Sequence, residues 1–271
     1  MSPDILLFPG QGSQYVGMGA DLFENYPESQ SLYESASKIL GVDIADISFN
    51  GPDDLLRQTQ HTQPAIFIHS ICTFNVLKEK GMTFKGVAGH SLGEFSSLVA
   101  AEVLTFEDAL LLVKVRSSEM AKAGKIMPGT MAAIIGASDD QLNLICKQKG
   151  IVVVANLNAP GQVVISGDID AVKEAIETAK SIGVRRALPL NVSGAFHSPL
   201  MKPARDELSK IINKLNFKSP IVPIYQNVTS LPVNDPDSIK SNILNQLESP
   251  VRWVDTIQNM IKNGHSSFIE L

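Results

Sequence analysis

Gly89-His90-Ser91-Leu92-Gly93 sets a serine between two glycines where an apolar run, Phe84 to His90, gives way to a helical pattern, Leu92 to Ala101. A G-x-S-x-G turn between a strand and a helix is the layout of a nucleophile elbow. The glycines admit the strained turn and the close approach of strand and helix. This lifts the Ser91 hydroxyl into a cleft and leaves the Leu92 amide at a helix N-terminus, where it can stabilise an oxyanion. Service as an ordinary helix cap is the competing use of Ser91. A nucleophilic serine also needs a base. Of the five histidines, His197 is the best placed: it lies in Ser193-Gly194-Ala195-Phe196-His197-Ser198-Pro199, where the chain leaves a small inserted unit, and would face Ser91 across the junction of two modules. His69 falls within an apolar helix and is expected as a satisfied core residue. His90 should point away from the serine, and His61 and His265 lie beside loops. The sequence has no H-E-x-x-H or comparable spacing, so no metal is expected.

Arg116 closes the run Ala109-Leu110-Leu111-Leu112-Val113-Lys114-Val115-Arg116 inside an apolar helix, and a buried arginine needs a partner. The pattern fits a structural ion pair and a clamp for a substrate carboxylate equally, since guanidinium meets carboxylate bidentately. The loop Pro9-Gly10-Gln11-Gly12-Ser13-Gln14 fails as a dinucleotide loop because Tyr15 stands where the third glycine should be. It fails as a phosphate loop because Gly12 to Gly17 is not followed by Lys and Ser or Thr. It is a plain turn, or a turn that offers a backbone amide beside the elbow. Val184 to His197 holds no acid to orient the histidine, and Asp168 and Asp170 read as helix starts, which leaves that part to a neutral or backbone group.

The elements that must position these residues follow from the apolar spacing. Asp4 to Phe8 reads as a buried first strand, Pro64 to Lys80 as a helix with a proline start and a stop at Gly81, and Phe106 to Ala123 as a helix capped by Thr105. From about Gly124 the rhythm becomes strand Thr130–Ile135, helix Ser138–Lys147, strands Ile151–Ala155 and Gln162–Ser166, helix Asp168–Ser181 and strand Val184–Leu190. That βαββαβ order is a ferredoxin-like unit, with Asn158-Ala159-Pro160-Gly161 turning between its central strands. Helical patterns resume near Pro199 to Leu215 and Asp235 to Leu247, so the small unit is an insertion. The sequence predicts an α/β core of residues 1–123 and 193–271 interrupted by a subdomain of residues 124–192.

Length and composition agree with a large buried core: 271 residues, 44% of them hydrophobic and 19% charged. A net charge of -5 argues against nucleic acid or an anionic membrane as the main partner, so an anionic ligand must meet a local basic cluster. Cys72 and Cys146 form no short-spaced pair and read as buried thiols of a reducing compartment. The N-terminus lacks the features of a secretion signal, and no apolar run reaches membrane-spanning length, so the chain is expected to be cytoplasmic.

Taken together, Gly10-Gln11-Gly12-Ser13-Gln14, Gly89 to Phe95, Arg116, Asn156 to Gly161 and Gly194-Ala195-Phe196-His197-Ser198 resemble the acyltransferase family of fatty-acid and polyketide synthesis, over nearly the whole chain. The resemblance implies a hydrolase-like parallel-sheet core with a ferredoxin-like insertion. It implies ping-pong transfer of a malonyl group from malonyl-CoA to the phosphopantetheine thiol of acyl carrier protein, without a cofactor. Ser91 would be the acylated nucleophile, His197 the base and Arg116 the ligand of the malonyl carboxylate. The amides of Gln11 and Leu92 would form the oxyanion hole, and the backbone carbonyl of Gln246 would orient the histidine. Family members continue beyond a Phe-Ile-Glu-Leu strand into a Gly-Pro-Gly turn, whereas this sequence ends at Leu271. A monomer is expected, with Lys122, Lys125, Arg185, Arg186 and Lys202 as a basic patch for the carrier protein. The rivals are a thioesterase with the same nucleophile and base, and an inactive docking module.

Overall fold

The computed structural model describes residues 3–271. Among them the strands are β1 (Ile5–Phe8), β2 (Gly86–Gly89), β3 (Gly129–Ile135), β4 (Val152–Ala159), β5 (Gln162–Asp168), β6 (Arg186–Pro189), β7 (Ile224–Tyr225), β8 (Pro232–Val233) and β9 (Phe268–Glu270). They form two sheets, ordered β8-β7-β2-β1-β9 and β4-β5-β3-β6. In the first, β1 lies parallel between β2 and β9, β2 is parallel to β7, and only the edge strand β8 is antiparallel. Central strands covered on both faces must be apolar throughout, and Ile5, Leu6 and Phe8 are fully buried.

Helix Thr59–Glu79 packs into this core and carries an almost continuous buried surface from Thr62 to Cys72. It packs on helix Phe106–Ile126, with the rings of Phe67 and Phe106 stacked at a centroid separation of 5.4 Å. Burying one such phenylalanine is worth about 1.5–3 kcal/mol. The expected proline start is displaced here, because Pro64 lies inside the helix, which begins at Thr59. A proline costs the helix the N–H that would bond the carbonyl four residues back. That carbonyl belongs to Gln60, an exposed residue, so water can satisfy it.

The second sheet is antiparallel throughout, and its order, with β5 and β3 central, is that of a ferredoxin-like unit. Helices Asp139–Ile145 and Ile169–Ser181 contribute Ile145, Val172, Ala175 and Ala179 to its own apolar cluster, with Ile134 and Ile165 from the sheet. Ser138 caps the first of these helices with a complete capping box. One strand differs from the sequence expectation. β4 continues past Ala155 to Ala159 through register shifts at Val154/Asn156 and Leu157/Ala159. Its extended end is held by Val251, which exchanges backbone hydrogen bonds with Ala155 and Leu157 and so ties the insertion to the large unit. The two crossings into the insertion lie side by side: a Cβ on Gly124 would overlap the Ser193 carbonyl.

Candidate active site

β2 ends at Gly89 and helix Gly93–Ala100 follows after three residues, so Ser91 sits in the turn between them. Both elbow glycines are needed. A Cβ on Gly89 would overlap the Gly93 backbone, and one on Gly93 would overlap the carbonyl of Phe8. Ser91 takes φ 51° and His197 φ 57°, so each is held in the left-handed region at a cost of about 1–3 kcal/mol, offset by the packing around it.

The Ser91 hydroxyl lies 2.8 Å from His197 Nε2 and accepts a hydrogen bond from Arg116 Nη2 at 2.9 Å. His197 Nδ1 donates to the backbone carbonyl of Gln246 at 2.8 Å. That bond keeps the proton on Nδ1 and leaves Nε2 free to accept the serine proton. Burial, reinforced by the Arg116 cation, pulls His197 from 6.5 down to about 3 against the pull of the Gln246 carbonyl, so the imidazole is neutral at physiological pH. Ser91, His197 and Arg116 line a cavity of about 230 Å³ together with Gln11, Leu92 and Asn158. Leu92 is the N-cap residue of the elbow helix, and the amides of Gly93, Glu94 and Phe95 after it bond back to the carbonyls of His90, Ser91 and Leu92.

Arg116 is 1% exposed and faces no carboxylate directly. Its Nη1 donates to Gln63 Oε1 at 2.7 Å and its Nη2 also to Gln246 Oε1 at 2.9 Å, while the guanidinium lies 5.4 Å from the ring centroid of Phe95. Nε is buried without a partner. Burial lowers its pKa to about 10, and it remains a cation. Of the two uses open to Arg116, the structure shows no direct ion pair but a cation whose hydrogen-bond acceptors are all neutral, a setting that would accommodate a substrate carboxylate.

Three expectations need correction. His90 does not turn away: it lines the cleft, with Nε2 2.9 Å from Asn158 Oδ1 and its ring edge-on to Trp253. The extension of β4 brings Asn158 to that position. His69 is not satisfied, since its buried Nδ1 has no hydrogen-bond partner. Cys72 is buried as expected, but Cys146 is only partly so. Four residues given no chemical role in the sequence reading hold the site together. Asn227 accepts from the Ser91 amide at 2.7 Å and donates to the Gly89 carbonyl at 2.7 Å, which pins the elbow from a distant loop. Gln63 braces Arg116, Asn158 meets His90, and Glu94 contacts both Asn227 and Gln246. Glu94 carries the one available signal, an acid among the apolar residues that open the elbow helix.

Comparison with known proteins bears on this geometry. The family model of the acyl transferase domain matches residues 5–271. A malonyl CoA-acyl carrier protein transacylase of Staphylococcus aureus (strain MW2) is 42% identical over 275 residues, spanning 100% of this chain and 89% of the relative. Among solved structures, an acyl-carrier-protein S-malonyltransferase from Bartonella henselae superposes with a TM-score of 0.95 at 37% identity, covering 100% of this chain and 88% of that one. A type II PKS acyl-carrier protein in complex with its malonyl-transacylase, PlMCAT:AntF, gives a TM-score of 0.94 at 38% identity, with 99% and 88% covered.

Proposed function

The chain belongs to the acyl transferase family, and from that premise we propose that it carries malonyl groups from malonyl-CoA to the pantetheine thiol of acyl carrier protein through a malonyl ester of Ser91. The observation that carries this reading is the position of the Ser91 hydroxyl, within hydrogen-bond reach of both a neutral imidazole and a buried guanidinium.

In the first half-reaction Ser91 Oγ attacks the thioester carbonyl as His197 Nε2 takes its proton. The backbone amides of Gln11 and Leu92 receive the oxyanion. One such donor is worth about 3 kcal/mol of transition-state stabilisation. Collapse of the tetrahedral intermediate breaks the C–S bond, and the imidazolium returns its proton to the departing coenzyme A sulfur. The second half-reaction reverses these roles: the carrier thiol loses its proton to His197, attacks the malonyl ester and releases Ser91. Gln246 keeps the imidazole tautomer constant through both halves. Arg116 turns from Ser91 to the malonyl carboxylate and pairs with it. The cleft lies between the core of residues 1–123 and 193–271 and the insertion 124–192, and the enzyme works as a cytoplasmic monomer.

Intact-mass measurement after mixing with malonyl-CoA tests the scheme. The wild type should gain one malonyl group and lose it on addition of holo acyl carrier protein. Ser91→Ala should fold and gain none. A malonyl adduct persisting on the Ser91→Ala protein would sink the assignment.

A further inference from the structure

Glu94 is a buried acid, 1% exposed, that the steps above do not use. Among the described residues its carboxylate has no lysine or arginine at ion-pair distance, yet both of its oxygens are engaged. Oε1 accepts from the backbone N–H of Asn227, and Oε2 accepts from Gln246 Nε2 at 2.6 Å. Burial pushes the Glu94 pKa up from 4.5 to about 8, and these two hydrogen bonds and the Arg116 cation pull the other way.

Gln246 is fixed at every polar atom. Nε2 donates to Glu94 and to the Ser91 carbonyl, the latter at 2.9 Å, and Oε1 accepts from Arg116. Turning the amide over would set its oxygen against the carboxylate and the Ser91 carbonyl, and its nitrogen against the guanidinium. Glu94 therefore decides which end of Gln246 faces Arg116, while the backbone carbonyl of the same residue holds His197. The buried Arg116 cation and the Glu94 carboxyl are joined by this single amide, and each acts on the other's ionisation.

We propose that Glu94 is a positioning residue of acyl transfer, the displaced counterpart of the acid in a serine, histidine and acid arrangement: it acts through Gln246 on His197 and on Arg116 together. The proposal rests on the acyl-serine reading above. It explains how the site dispenses with an acid against the imidazole: the carboxyl stands one residue further away, where it also serves Arg116 through the same amide.

The experiment compares the full-length wild type, Glu94→Gln, and the exchange variant E94Q/Q246E, which keeps one amide and one carboxylate in contact but puts the carboxylate on Arg116. Rates of acyl-serine formation and KM are measured with malonyl-CoA and with acetyl-CoA, alongside thermal unfolding. Glu94→Gln sets amide against amide. It should slow acylation by both donors at least tenfold, and should raise KM for malonyl-CoA at least threefold more than KM for acetyl-CoA. The exchange should restore the acetyl rate at least fivefold over Glu94→Gln without restoring the malonyl rate, because the guanidinium is already occupied. A Glu94→Gln protein with wild-type rates and KM would overturn the proposal. So would an exchange variant that recovers nothing, which would mark Glu94 as a packing element. Should Glu94→Gln fail to fold, the exchange variant decides alone, acetylation supporting the proposal and its absence overturning it. A wild type that forms no malonyl-serine would instead refute the reading on which the proposal stands.

Discussion

At the scale of single residues, the site is built around one buried cation. Removing the guanidinium that pairs with a desolvated carboxylate costs about 2–5 kcal/mol, so Arg116→Ala should lower kcat/KM for malonyl-CoA by about thirtyfold or more. Acetyl-CoA has no carboxylate to lose, and its turnover should hold or rise, because a neutral acyl chain no longer leaves a buried cation unpaired. Equal losses for both donors would reduce Arg116 to a structural member. The same cation shapes the pH profile. His197 is drawn to about 3 by burial first and Arg116 second, and must be neutral to accept the serine proton. Activity carried by the unprotonated form survives above the folded-state pKa and is lost as pH falls through it, so kcat/KM should keep its plateau well below the ordinary histidine value of 6.5. In Arg116→Ala the acid limb should move to higher pH. A wild-type limb centred near 6.5 would show that the imidazole is not held as described.

At the scale of elements, the elbow depends on backbone approach rather than on side-chain packing. Gly93→Ala drives a methyl group into the Phe8 carbonyl, so β1 and the elbow helix must separate or the turn must distort. Overpacking of this kind costs about 1–3 kcal/mol, which in a chain of this size lowers Tm by roughly 2–5 °C. Acylation should fall further than stability, since the displaced helix carries the Leu92 amide and Glu94. Differential scanning calorimetry with the intact-mass assay separates the two effects. Full acylation in a Gly93→Ala protein of unchanged Tm would contradict the close approach. The bulged extension of β4 shows the opposite logic: irregular pairing re-aims Asn158 at the cleft while Val251 keeps the strand on the large unit.

At the scale of the whole molecule, a chain of net charge -5 would receive an acidic carrier protein only on a local basic surface. The expected patch is not uniform. Lys122 is engaged by Glu119 at 2.6 Å and Lys202 by Asp206 at 2.9 Å, whereas Arg185 and Arg186 are exposed and form no ion pair among the described residues. Reversing the charge of Arg185 and Arg186 together should raise KM for the carrier protein severalfold and leave acylation by malonyl-CoA nearly untouched. Steady-state kinetics at fixed malonyl-CoA checks this, and an unaltered carrier-protein KM removes both residues from the patch. Among the described residues no helix is long and apolar enough to cross a membrane.

What the sequence determined by itself is short-range. Gly89, Ser91 and Gly93 announce the elbow because glycine spacing dictates how closely a strand and its following helix can approach. The βαββαβ rhythm announces the insertion because periods of two and 3.6 residues survive in any context. Serine, histidine and arginine were legible as candidates from their local settings, and Gln246 only through resemblance. What the tertiary structure decided lies in contacts between distant segments. Asn227 reaches Ser91 across 136 positions, and Gln246 reaches it across 155. Neither has a local pattern that marks it, since a polar residue in a loop or at a helix end looks the same whether it meets water or a buried carboxylate. Glu94 stood in the motif itself, yet its partners come from two remote segments, and His90 turned to the cleft only because β4 ran on to deliver Asn158. Pro64 was misplaced for the same reason, since the helix around it is stabilised by burial rather than by its end signals. Chemistry was encoded locally, and the charges and hydrogen bonds that orient it were assembled by packing, which places groups by shape and not by order along the chain.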